Sequence, residues 1–151
     1  MTQKKLPIIY ADDNPYDIEL FLEVFNDLDL GSPVVVLRDG QEVLNHLSDR
    51  EEDLSVEMPE AILLDIKMPK INGLEVLKKI RAQPVFDRVP IIMITSSEMA
   101  KDIAVCYESG ANAYVVKPID FDEFVDLIAS LSRFWTYLNQ FEDNGVNSTC
   151  L

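Results

Sequence analysis

The chain has 151 residues, 48% of them apolar, and a formal net charge of −14. That length suits one ordinary domain, the apolar fraction argues against disorder, and so negative a surface argues against nucleic acid or anionic membrane as partners. No apolar run approaches the ~20 residues of a bilayer span, and Met1 to Pro7 lacks the apolar core of a signal peptide. The two cysteines, Cys106 and Cys150, fit neither a disulfide framework nor a metal-ligand spacing. A cytoplasmic setting is therefore expected.

In chain order, Ile8 to Ala11 is a short apolar run ending at Asp12-Asp13, and Asn14-Pro15 reads as a helix start. Ile18, Phe21, Leu22 and Phe25 then repeat at helical spacing to about Leu30-Gly31. Pro33 to Leu37 is a second strand, and Asp39-Gly40 leads into a helix carrying Val43, Leu44 and Leu47. Asp49 to Pro59 is acidic and aperiodic, a predicted loop. Ala61 to Leu64 is a third strand ending at Asp65, followed by a helix with Leu74, Val76, Leu77 and Ile80. Pro90 to Ile94 is a fourth strand ending at Thr95-Ser96, with a helix expected from Ser97 to Glu108. Ala113 to Val116 is a fifth strand ending at Lys117-Pro118, and a last helix is expected from Asp120 to about Gln140.

Five strand-then-helix units with nearly continuous apolar strands imply a parallel sheet covered by helices on both faces. The expected fold is α/β, doubly wound, flavodoxin-like, with strand order 2-1-3-4-5 and five helices. The expected domain covers residues 1–141, with a tail from 142 to 151.

Ligands of such sheets bind beyond the carboxyl ends of the strands. Strand one ends in Asp12-Asp13, strand three in Asp65, strand four in Thr95 and strand five in Lys117, so these groups converge. Each alone has an ordinary reading. The first two acids could support a helix start, Thr95 could cap a helix through Thr95-x-x-Glu98, and Lys117 could be a solvated surface residue. Together they ask for four coincidences at one edge, and Asp65 directly after Ile62-Leu63-Leu64 is an odd strand former. Clustered carboxylates repel, and a hard divalent cation such as Mg²⁺ (or Mn²⁺) would remove that cost. A carboxylate beside such a cation can attack phosphorus and form an acyl phosphate. Lys117 and the Thr95 hydroxyl could then face the phosphoryl oxygens.

The motifs Asp12-Asp13, Leu63 to Pro69 with Gly73, Thr95-Ser96 and Tyr114 to Pro118 resemble the receiver domain of two-component response regulators. The resemblance covers residues 6 to about 132. It implies that Asp65 accepts the phosphoryl group and that Asp12, Asp13, Asp65 and the backbone carbonyl of Lys67 hold Mg²⁺. It also implies that Thr95, Ser96 and Lys117 face the phosphoryl group, that Tyr114 rotates with Thr95, and that Lys117–Pro118 is a cis peptide. The implied donor is a sensor histidine kinase, and the implied activity is confined to the chain's own phosphorylation and dephosphorylation. The residues after Pro118 hold one helix and a tail, so no separate output domain is expected. The Phe134-Trp135 ending and the acidic loop resemble small receivers that partner phytochrome kinases.

On the last helix Phe124, Ile128, Leu131, Trp135 and Leu138 form a stripe expected to pack on the sheet. A neighbouring stripe of Leu127, Phe134, Tyr137 and Phe141, with Trp135 at the end of the helix, is expected at a homodimer interface with the strand-five edge. A helix that bends back onto its own domain is the alternative. Other functional readings are a phosphorylation-independent binding module and a chemotaxis-type switch. A dehalogenase-type phosphohydrolase would need Asp-x-Asp where Asp65-Ile66-Lys67 stands, and a flavodoxin would need a Ser/Thr/Gly-rich loop where Asp12 to Pro15 stands.

Overall fold

Apolar runs rich in Ile, Val and Leu form the five strands of the computed structural model, which describes residues 5–52 and 57–139. These are β1 (Ile8–Ala11), β2 (Val34–Leu37), β3 (Ala61–Leu64), β4 (Ile91–Thr95) and β5 (Ala113–Val116), all parallel, in the order β2-β1-β3-β4-β5. The intervening helices are α1 (Pro15–Leu28), α2 (Gly40–Glu52), α3 (Gly73–Arg81), α4 (Ala100–Glu108) and α5 (Phe121–Arg133). Strand order and helix number are as the sequence predicts.

The pleat divides the core into two layers. Ile9, Ala11, Ile62, Leu64, Ile91 and Met93 face one side, with residues of α2 and α3. Ile8, Tyr10, Leu63, Ile92 and Ile94 face the other, with Ile18, Phe21 and Phe25 of α1 and Phe124 and Ile128 of α5. Tyr10 stacks on Phe21, ring centroids 4.1 Å apart. At the far end of the sheet from the carboxyl edge, the Arg81 guanidinium donates to the carbonyls of Gly110 (2.9 Å), Phe86 (2.8 Å) and Val89 (2.9 Å) and to Asn112 Oδ1 (2.8 Å). It ties the end of α3 to the approaches of β4 and β5.

Several element bounds differ from expectation. The segment from Asp49 continues α2 to Glu52 rather than starting a loop. α4 begins at Ala100, because Ser97 turns the preceding backbone: its Oγ accepts from Met99 N–H at 3.3 Å and donates to Asp102 at 2.5 Å. A 3-10 turn at Pro84–Phe86 adds an element that the apolar pattern does not signal.

The last helix is interrupted. After Arg133 the chain widens into a π turn over Phe134–Leu138, closed by Asn139 N–H on Phe134 O at 2.7 Å. A wider turn rotates later residues out of an α-helical phase. Trp135 packs partly against the α1/α5 layer and Thr136 is buried, while Leu138, expected on the sheet, is 60% exposed. Phe134 and Tyr137 are 45% and 71% exposed, Leu127 is half-buried, and Phe141 and the tail lie outside the described residues.

Candidate functional site

The ladder continues one residue past the strand ends: Asp12 N–H donates to Leu37 O (3.0 Å), Asp65 N–H to Ala11 O (3.0 Å) and Lys117 N–H to Thr95 O (2.7 Å). This hydrogen bonding sets Asp12 and Asp65 on adjacent strands and Lys117 two strands away across β4, all at the carboxyl edge. The period of two also chooses their face. Tyr10, Leu63 and Val115 belong to the α1/α5 layer, and the residues two further on, Asp12, Asp65 and Lys117, point the same way. Thr95 and Tyr114 lie one register away, toward the other layer.

The geometry on that face is tight. Lys117 Nζ donates to Asp12 Oδ2 at 2.6 Å, Asp65 Oδ2 at 2.8 Å and Asp17 Oδ2 at 3.0 Å. Asp12 is wholly buried; its Oδ2 also accepts from Tyr10 Oη at 2.9 Å and its Oδ1 from Asn14 N–H at 3.0 Å. Carboxylate oxygens of Asp12, Asp13 and Asp65 lie within 4.8 Å of one another. Asp13 is exposed, which leaves an open side for incoming water or ligand. An all-oxygen set with one solvent-facing member suits a hard divalent cation that keeps several waters. Asp65, Lys67, Ser96 and Lys117 line one wall of an open groove of about 720 Å³, which continues between α1 and the loop after β5 past Tyr16, Leu20 and Ile119.

The carboxylates therefore have a counter-ion of their own. Burial raises the pKa of Asp65, Lys117 opposes that rise, and Asp12 adds to it. For Lys117 burial works against the charge, but Asp12 and Asp65 outweigh it and hold its pKa above the ordinary value. Burial and the neighbouring Asp12 carboxylate likewise raise Tyr10, keeping it a neutral donor. The simple repulsion expected from clustered acids is thus largely relieved by Lys117.

The remaining expected residues fall nearby. Lys67 N–H donates to Asp65 Oδ1 at 3.3 Å. Thr95 belongs to β4 and forms no capping box; its hydroxyl is buried, favours the ionised form of Asp65, and makes no hydrogen bond of good geometry. Tyr114 is half-buried and its hydroxyl donates to Ser97 O at 2.9 Å. The Lys117–Pro118 bond is trans, correcting the implied cis peptide; among the described residues none is cis. Trans is favoured for X–Pro by about 0.5–1 kcal/mol, and with it Lys117 already reaches all three carboxylates.

The loop from Asp65 to α3 packs tightly against two glycines, Gly73 at its end and Gly40 at the start of α2. Gly73 N–H donates to Ile66 O at 2.8 Å, and a Cβ on Gly73 would sit 1.9 Å from the Asp65 carbonyl oxygen. A Cβ on Gly40 would meet Ile71 O at 2.0 Å. Asn72 caps α3, accepting from Glu75 N–H at 2.9 Å.

Sequence reasoning missed Asp17 and Tyr10. An acid in the first turn of a helix has an ordinary explanation in the helix dipole, and a tyrosine in a buried strand reads as core. The available signals were spacing: Tyr10 precedes Asp12 by two in a strand, and Asp17 follows Asp13 by one helical turn.

Comparison with known proteins agrees with this architecture. The profile of the "Response regulator receiver domain" family matches residues 8–129. The response regulator Rcp1 of Synechocystis sp. (strain ATCC 27184 / PCC 6803 / Kazusa) is 29% identical over 85% of this chain and 87% of its own length. Its Mn²⁺-bound crystal structure superposes with a TM-score of 0.83 at 27% identity, covering 91% of this chain and 99% of that one. The phosphorylated cyanobacterial phytochrome response regulator RcpA gives 0.84 at 28% identity, covering 92% and 99%. The bacteriophytochrome response regulator RtBRR is 42% identical, with a TM-score of 0.68, covering 91% and 84%. The chain belongs to the response regulator receiver domain family.

Proposed function

We propose that this chain is a phosphoacceptor of a two-component relay, taking a phosphoryl group from a sensor histidine kinase onto Asp65. The observation that carries the reading is the Asp12, Asp13 and Asp65 cluster within 4.8 Å, with Lys117 Nζ 2.8 Å from Asp65. An Asp65 oxygen forms the bond to phosphorus while the donor's P–N bond breaks, its electron pair leaving with the donor imidazole. Asp12, Asp13, Asp65 and the Lys67 carbonyl would hold Mg²⁺ or Mn²⁺, which supplies charge neutralisation for the transferring group. Lys117 and the Thr95 hydroxyl take phosphoryl oxygens, and Ser96 borders the opening. The unpartnered Thr95 hydroxyl is free to turn, and Tyr114, half-buried beside it, moves with it as the readout. Mn²⁺-bound Rcp1 and phosphorylated RcpA support the metal and the phosphoryl group, and the phytochrome-linked relatives make a phytochrome kinase the favoured donor.

Intact-mass spectrometry after incubation with acetyl phosphate tests this. Wild type should gain one phosphoryl adduct in Mg²⁺ and none in chelator, and Asp65→Asn should gain none. An adduct on neither protein, or on both, would sink Asp65 as acceptor.

The output follows from the exposed end of α5. Phe134 and Tyr137 stand in solvent beside half-buried Leu127 and Trp135, next to β5, an edge strand of the sheet. We propose a homodimer through this face, Phe141 included. Sedimentation should show dimer mass that reverts to monomer in a Phe134→Ser, Tyr137→Ser double variant. A wild-type monomer mass at all concentrations would reject the dimer.

A further inference from the structure

An ammonium group has three protons to donate, and all three of Lys117 are used: one each for Asp12, Asp65 and Asp17. The three acceptors are not equivalent. Asp12 is wholly buried and also holds Tyr10 and Asn14. Asp65 is the residue that would be modified. Asp17 stands apart from the metal-fitting group of Asp12, Asp13 and Asp65. Its side chain is 23% exposed, and Lys117 is the one hydrogen-bond partner of its carboxylate among the described residues.

A phosphoryl group on Asp65 brings several oxygens to Lys117 and turns the Asp65 carboxylate into a neutral acyl group, so the proton that Asp65 held is freed first, and any further proton must come from Asp12 or Asp17. Releasing Asp12 would leave a buried charge unpaired, which is costly; releasing Asp17 leaves a carboxylate that water reaches. We propose that Asp17 is a positioning residue for Lys117, holding from α1 a second proton for which a phosphoryl group on Asp65 competes. The inference rests on the phosphoacceptor reading of Asp65. Asp17 thereby steadies the unphosphorylated site and opposes the phosphorylated one, both by competing for Lys117 and by its own negative charge.

Asp17→Asn keeps the shape and an acceptor but removes the charge, and charged hydrogen bonds are about twice as strong as neutral ones. Two readouts are needed. In metal-free protein with ¹⁵N-labelled lysines, the Lys117 ammonium protons (the signal lost in Lys117→Met) should exchange with water on the order of tenfold faster in Asp17→Asn, the scale of one charge-assisted hydrogen bond. At limiting acetyl phosphate with Mg²⁺, the steady-state adduct ratio, phosphorylated to unphosphorylated, should rise severalfold. Asp27→Asn removes the same charge from the exposed far end of α1 and should change neither. Unchanged ammonium exchange, or an adduct ratio that is unchanged or falls, would overturn the proposal. If wild type takes no adduct at all, the phosphoacceptor reading fails by itself, and the metal-free exchange rates alone decide whether Asp17 anchors Lys117.

Discussion

Replacing Lys117 by methionine should cost the metal-free protein about 3–5 kcal/mol, the range for breaking a buried ion pair from one side. The methionine keeps the length of the side chain and loses the charge, so Asp12, Asp65 and Asp17 are left facing one another. The sign with pH is set by Asp65. Its pKa is already raised in the folded protein, chiefly by burial, with Lys117 opposing. A raised folded-state pKa contributes stability below the unfolded value, and that contribution is lost as pH rises through the folded value. Without Lys117 the rise grows, so the variant should lose more stability than wild type between acid and neutral pH. Added Mg²⁺ should help the variant more than wild type, which at ten times the dissociation constant gains about 1.4 kcal/mol. Urea titrations at two pH values, with and without Mg²⁺, read all three effects. A loss under about 1 kcal/mol with no larger metal response would mean that Lys117 is not the counter-ion of these acids.

Gly73→Ala should lower stability by about 3 kcal/mol, at the upper end of ordinary overpacking costs. The atoms the new methyl would strike are the Asp65 carbonyl, 1.9 Å away, and Ile66 Cα, 2.9 Å away. Both are backbone, so no side chain can swing clear. Relief must come from moving the loop between β3 and α3, which carries Asp65 at its start. The melting temperature should therefore fall by roughly 6–12 °C, and divalent binding should weaken with it. A melting temperature within about 2 °C of wild type would show that the loop yields freely.

The strands, their order and the edge residues were legible because strands buried on both faces leave continuous apolar runs, each ending where polarity abruptly begins. The convergence of Asp12, Asp65 and Lys117 followed from parallel topology alone. Three features were not legible, each for a physical reason. The pairing of Lys117 with Asp17 depends on how α1 seats against the loop after β5, a tertiary contact with no local periodicity. The π turn after Arg133 depends on which carbonyl Asn139 N–H selects. It takes that of Phe134, where an α-helix would use that of Trp135, and the apolar pattern of Phe134 to Leu138 fits either winding. The peptide before Pro118 differs between isomers by too little free energy for residue identity to decide.

Arg81 gives the domain a contrast between its two ends. Its hydrogen-bond partners are neutral oxygens, four of them backbone or amide groups within 3 Å, and a guanidinium keeps its charge at any pH a protein survives. Among the described residues Arg81 makes no hydrogen-bonded ion pair for protons to titrate or salt to screen. The opposite edge is held by an ammonium shared among carboxylates, where both agents, and any incoming cation or anion, shift the balance. The Arg81 corner therefore serves as a fixed frame of reference, and the carboxyl edge is free to respond to the ionic surroundings without carrying that corner along.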